Sequence, residues 1–224
     1  MKIVLSIITV LVFISCANSG TRQKESTIKI KAKSIEENKL EDEQEAVETP
    51  VVKFEILHTS SKTIDDLEIK GKTVYQKFWK DANGENVILF TNNETELFVY
   101  HYVFLANGEK LLRKVYDFIK DCEFDMFLKF ISDSIIVTDL DQNDIGEITF
   151  AYRKACVSDV SPIGLKLLVL ENGNKYIIRG NSITDLGEFK IGGEKNVDVS
   201  FDNAPEEFLK HANAIWSKVV KIKY

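Results

Sequence analysis

Asp139, Asp141, Asn143 and Glu147 place oxygen-bearing side chains at the first, third, fifth and ninth positions of one short stretch. Alternate residues of a tight loop can turn their donors onto a single point, and a set of hard oxygens is what calcium takes, at about 2.3–2.6 Å each. The Ile145 carbonyl would add a fifth oxygen. Three carboxylates this close repel one another. The loop is therefore poorly stable when empty and becomes a fixed corner once a divalent ion neutralises it. The competing reading is an acidic hairpin turn that needs no ion. A helix–loop–helix calcium site is excluded, because it wants Gly at the sixth position and a bidentate acid at the twelfth, where this chain has Asp144 and Phe150. Asp144 can still adopt the left-handed backbone of that Gly at some cost, as Asp and Asn do more readily than other side chains.

Cys122 and Cys156 flank this loop in sequence. Neither has the neighbouring His or Cys that zinc or an activated thiol would require, so in an oxidising compartment they predict a disulfide. A bridged loop of that length is worth about 3–4 kcal/mol in the chain-entropy picture. A second polar cluster runs from Cys156 to Pro162. Its Ser158 and Asp159 could converge with Arg153, Lys154 and Arg179 on a ligand, or form only a hydrogen-bonded turn before Pro162. Asp65, Asp66 and Glu68 could be half of a glycosidase pair, though no partner acid is placed opposite by the sequence. His101 lies in an apolar run and His211 on a helical stripe, so both read as structural. No nucleophile elbow, phosphate loop or HExxH helix occurs.

The elements that would hold these groups are mostly strands. Asn83-Gly84, Asn107-Gly108 and Asn172-Gly173 each lie between strand-like runs, and Asn-Gly is the favoured pair of tight hairpins. The expected hairpins pair Val74–Trp79 with Val87–Thr91, Leu97–Leu105 with Leu111–Phe118, Ile135–Thr138 with Ile148–Tyr152, and Leu165–Leu170 with Tyr176–Arg179. In the second, Phe98, Tyr100, Tyr102 and Phe104 alternate with Leu97, Val99, His101, Val103 and Leu105, which predicts that both faces are covered. An aromatic row of this kind reads as core before it reads as a sugar platform. The period changes near the C-terminus. Asp202 or Asn203 should cap a helix beginning at Pro205, with Phe208, Leu209, Ala212, Ile215, Trp216, Val219 and Val220 on one stripe docked against the sheet. The fold class expected is mainly β, an antiparallel hairpin meander with one C-terminal amphipathic helix. A twisted sheet, a sandwich and a partial propeller all fit that pattern.

The N-terminal apolar run, Ile3 to Ile14, is too short to span a bilayer and suits a signal segment. With the small residue before Cys16 it resembles a bacterial lipoprotein signal. That resemblance implies residues 1–15 as the signal and Cys16 as the lipidated first residue, attached to a membrane through its acyl chains. Residues 16–50 contain no aromatic residue and are rich in charge, the composition of a tether; residues 51–224 are of a size for one domain. The formal charge of −6, which loss of Lys2 makes −7, excludes nucleic acid as a partner.

Five segments in order carry a family resemblance: Trp79-Lys-Asp-Ala-Asn-Gly-Glu-Asn-Val-Ile-Leu, Asp117-Phe-Ile-Lys-Asp-Cys122, Thr138-Asp-Leu-Asp-Gln-Asn-Asp-Ile-Gly-Glu147, Cys156-Val-Ser-Asp-Val-Ser-Pro162 and Lys175-Tyr-Ile-Ile-Arg-Gly180. Together they resemble a Bacteroidetes group of secreted proteins and lipoproteins catalogued as surface polysaccharide biosynthesis proteins. The loop itself is similar to the calcium loops of VCBS-type and integrin-type (FG-GAP) β repeats, but it occurs once and carries Asp144 where those have Gly. The resemblance implies a lipid-anchored envelope protein, at the outer membrane on its periplasmic or surface face, with an envelope glycan or protein as partner. The reading that follows is a non-enzymatic binding or assembly protein with one structural calcium. The alternative is an envelope glycan-active enzyme using carboxylates.

Overall fold

The computed structural model describes residues 52–222, all within the compact unit Glu48–Tyr224. The signal segment, Cys16 and the charged tether lie outside the described residues. Two five-stranded sheets dominate. In the first, β1 (Glu55–Leu57), β2 (Lys72–Asp81), β3 (Gly84–Asn92), β4 (Glu96–Leu105) and β5 (Gly108–Phe118) pair antiparallel in chain order. The chain continues through β6 (Asp125–Thr138), β7 (Glu147–Val157), β8 (Gly164–Glu171) and β9 (Asn174–Asn181), then the short β10 (Ile183–Asp185), β11 (Lys190–Gly192) and β12 (Lys195–Val197). The second sheet is ordered β12-β9-β8-β7-β6 and is antiparallel throughout. One short parallel pair departs from that pattern, where β13 (Lys221–Ile222), after the helix, lies beside β10 in a three-stranded patch with β11.

All four expected hairpins form, but two of their turns are displaced by one residue. Asp81 pairs with Gly84 and Leu105 with Gly108, so the loop residues are Ala82-Asn83 and Ala106-Asn107. The following glycines take φ of +130° and +122°. Positive φ is needed one position after the loop, which is how a turn with ordinary backbone is joined to a glycine bulge. Only at Asn172-Gly173 is Asn-Gly itself the central pair, with φ of 42° and 82°.

The sheets pack face to face. Trp79, Phe90 and Val99 of the first meet Phe130, Phe150 and Leu168 of the second, and Phe90 stands edge-on to Phe130 and Phe150 at 5.1 and 5.2 Å. Each large side chain buried here contributes about 1.5–3 kcal/mol. Both outer faces are covered too. Leu57, Ile64, Leu67 and Ile69 lie over Phe98, Tyr100 and Tyr102, fastened by Lys70 N–H donating to the Tyr100 hydroxyl and Tyr102 O–H to the Glu68 carbonyl, each at 3.0 Å. On the far side, α1 (Glu206–Val219) lays Phe208, Ala212, Ile215, Trp216 and Val219 on Ala151, Leu165, Leu167 and Val169.

The start of that helix differs from expectation. Asp198 caps a 3-10 turn over Val199–Asn203, and α1 begins at Glu206 with Pro205 as its cap. Asp202 and Asn203 are occupied by that tighter turn. The first turn of α1 relies on Glu206 and Glu207 against the helix dipole instead of a capping side chain. Among the described residues no helix is long and apolar enough to cross a membrane.

Candidate metal centre

The loop between β6 and β7 gathers its acids because the ribbon closes on them. Thr138 and Glu147 form the last register pair, and Glu147 also faces Glu171 across β8, so its side chain starts a central strand and is completely buried. Between them the chain turns back through two residues of positive φ, Gln142 at 59° and Asp144 at 60°. Asp144 thus takes the left-handed backbone expected of it, and Gln142 takes it as well. Asp139 organises the bend: its carboxylate accepts from Asn143 N–H at 3.0 Å and from Asp144 N–H at 3.2 Å.

Three of the expected ligands converge. Asp139, Asp141 and Glu147 each bring one carboxylate oxygen to within 4.8 Å of the others. Oxygens no farther apart than this can share one metal ion. Glu147 Oε2 accepts from Leu140 N–H at 2.8 Å and Thr138 O–H at 3.2 Å. Its Oε1 is buried without a partner, as is Asp141 Oδ1. A buried carboxylate oxygen left bare is expensive, and Glu147 shows it. Burial pushes its carboxyl up to about 8, with the charges of Asp141 and Glu171 adding to the effect and the Leu140 and Thr138 hydrogen bonds opposing it.

Asn143 and Ile145 sit differently from a ligand arrangement. Asn143 Oδ1 accepts from Ile145 N–H at 2.8 Å, and its amide nitrogen points at Asp141 and at Glu171. Glu171 is a neighbouring acid that sequence spacing missed. It ends β8, remote in sequence, and only the register Glu147↔Glu171 brings it to the loop. The signal available was its position one residue before the Asn172-Gly173 turn, at the end of a strand that pairs with β9 on one side and β7 on the other.

The outer side of the loop is bolted to the first sheet. Gly146 N–H donates to Asp81 Oδ2 at 3.1 Å, the same oxygen that accepts from Trp79 Nε1 at 2.9 Å, and Ala82 N–H reaches the Asp144 carbonyl at 2.8 Å. A Cβ on Gly146 would overlap the Trp79 indole. Glycine is thus required there by close approach, and the loop is a joint between the two sheets.

Of the two readings of the second polar cluster, the structure forms the hydrogen-bonded turn before Pro162. Arg179 on β9 pairs with Asp198 at 2.6 Å, because β12 lies beside β9 and delivers that acid first. Asp159 accepts from Ser161 N–H at 2.9 Å in a turn before Pro162, and Ser158 is exposed. A cavity of about 390 Å³ does border Asp159, with Asp125, Met126, Arg153 and Ile163 in its lining; Ser158 and Arg179 take no part in it. The hydrogen bonds from Ser161 hold the Asp159 carboxyl below its usual range, the opposite of what a general acid needs.

The remaining candidates are structural. Cys122 and Cys156 form a disulfide with Cα atoms 5.7 Å apart. His101 Nε2 lies 3.0 Å from Asn86 Oδ1, its ring is against Trp79, and burial drives its pKa down to about 3. The aromatic row of β4 is core: Phe98, Tyr100 and Tyr102 are buried under Leu57, Ile64, Leu67 and Ile69. Phe98, Tyr116 and Phe118 stack on one another at 5.0 and 5.4 Å with planes within about 20°, and Lys114 and Lys154 lie over Phe98 and Phe118.

No protein-family model, no curated protein and no solved structure matches the chain.

Proposed function

We propose that this chain is a cell-envelope lipoprotein, held to the outer membrane by lipid on Cys16, whose β domain is stiffened by one calcium ion in the loop from Asp139 to Glu147. Its role is binding or assembly at the envelope, on surface polysaccharide as the family resemblance implies. The observation that carries the reading is Glu147: a carboxylate wholly buried, with one oxygen unpartnered and two further acids beside it. Asp139, Asp141 and Glu147, the three carboxylates that converge, would hold the ion. Calcium would supply charge neutralisation and rigidity, with no bond made or broken. The loop is fixed to the first sheet through Gly146 and Asp144, which suits a structural ion better than a reacting one.

The test is co-sedimentation with purified cell-surface polysaccharide. Retention in calcium, lost in chelator and in Glu147→Gln, is expected, and Cys16→Ala should move the protein from the membrane to the soluble fraction. Absence of retention in calcium overturns the binding role. Release of soluble saccharide during the incubation would favour the glycan-active enzyme, with Asp125 and Asp159 of the 390 Å³ cavity as the acids to substitute.

A further inference from the structure

We propose that Asp81 is a positioning residue for the cation: from the first sheet it holds Gly146, and so sets Glu147 for the ion and couples occupancy of the loop to Trp79 in the core between the sheets. The inference rests on the cation reading above and adds to it the means by which the site is held and sensed.

The end of β2 grips the acidic loop at two points. Ala82 N–H donates to the Asp144 carbonyl at 2.8 Å, and Asp81 Oδ2 accepts from Gly146 N–H at 3.1 Å, so the residues on either side of Ile145 are both fixed. Glu147 follows Gly146 directly, its Cα about 3.8 Å further along the chain. A shift of Gly146 is therefore passed almost whole to the buried carboxylate, and a binding constellation tolerates about 0.5 Å of such displacement.

Asp81 is itself held. It is almost completely buried, its Oδ1 accepts from Asn83 N–H and its Oδ2 also from Trp79 Nε1, each at 2.9 Å. Among the described residues no Lys, Arg or His is ion-paired with it. One oxygen thus joins an indole of the first sheet to a backbone N–H of the second, while the other closes the β2–β3 turn. These three donors occupy both oxygens of a carboxylate. Asparagine has one acceptor oxygen, so either the turn or the joint would lose its partner. Trp79 is fully buried between the sheets, against the ring of His101. An ion that favours one setting of Gly146 favours the matching setting of Trp79, and the coupling is reciprocal.

The unsubstituted full chain provides the first measurement, because Trp79 and Trp216 are its two tryptophans. Calcium should move the indole N–H resonance of Trp79 and leave that of Trp216 in place, the two being assigned with Trp216→Phe. In calorimetric titration Asp81→Asn should weaken calcium about 10–100-fold. The control is Asp117→Asn, a change at another buried carboxylate, which binds Tyr152, Lys154 and Lys166; it should leave calcium affinity unchanged. Three results would each overturn the inference and leave the calcium reading standing: a Trp79 resonance unmoved in a chain that binds calcium, an unchanged affinity in Asp81→Asn, or an equal weakening in Asp117→Asn. Absence of calcium binding in the unsubstituted chain would remove the cation reading itself, and this inference with it.

Discussion

At one end of the β6–β7 ribbon Asp117 is buried among Lys154 at 2.7 Å, Lys166 at 2.5 Å and the Tyr152 hydroxyl at 2.8 Å; at the other, Glu147 is buried among further acids. Burial alone would raise both carboxyls. At Asp117 the two lysines and the tyrosine reverse it and bring the pKa down to about 2, while at Glu147 nothing does and it rises to about 8. The Asp117 end is also closed covalently, by Cys122–Cys156. One end of the ribbon is complete with what the chain supplies, and the other lacks a positive charge. A buried acid whose counterions are built in is architecture; one without them is a socket.

The largest effect should come from opening the completed end. Reducing Cys122–Cys156 is expected to lower unfolding free energy by about 3–4 kcal/mol in denaturant titration, equally with and without calcium. A reduction cost that depended on calcium would couple the two ends and break the comparison. Next is Asp117→Asn, which removes the charge that pairs two lysines and leaves one acceptor oxygen for three donors. The expected loss is about 2 kcal/mol, kept modest because both lysines are about a third exposed.

The dependence on pH is the most discriminating, because the two carboxyls bend stability in opposite pH ranges. Asp117 is depressed from an ordinary 3.8, so its contribution is complete above that value and is lost as pH falls toward 2. Glu147 is raised from 4.5. In the cation-free protein the folded state keeps a proton that the unfolded chain releases, so stability declines as pH climbs from 4.5 through 8. Melting midpoints measured in chelator should show that decline, and Glu147→Gln should flatten it. A wild-type profile already flat over this range would mean that Glu147 is not a bare acid.

Much of this was legible in the residues. The four hairpins, the covered aromatic strand and the helical stripe follow from periods of 2 and 3.6, which local sequence states directly. The disulfide followed from compartment and count. What the residues could not state were long-range pairings. Glu171 joins Glu147 only through the register of β8, Arg179 meets Asp198 because β12 folds back on β9, and Gly146 must be glycine because Trp79 arrives from the other sheet. The displaced turns at Ala82-Asn83 and Ala106-Asn107 are a subtler case. Asn-Gly marks the need for positive φ nearby, but whether Gly occupies the turn or the position after it is decided by the strands on either side.

The account turns on whether the bare carboxylates at the loop take an ion, and thermal melting at pH 8 in calcium against chelator asks this directly. At about a hundredfold excess over its dissociation constant, calcium should add about 2.7 kcal/mol, a midpoint shift of about 5–10 °C that Glu147→Gln abolishes. Coincident midpoints for the unsubstituted protein in the two solutions would contradict it.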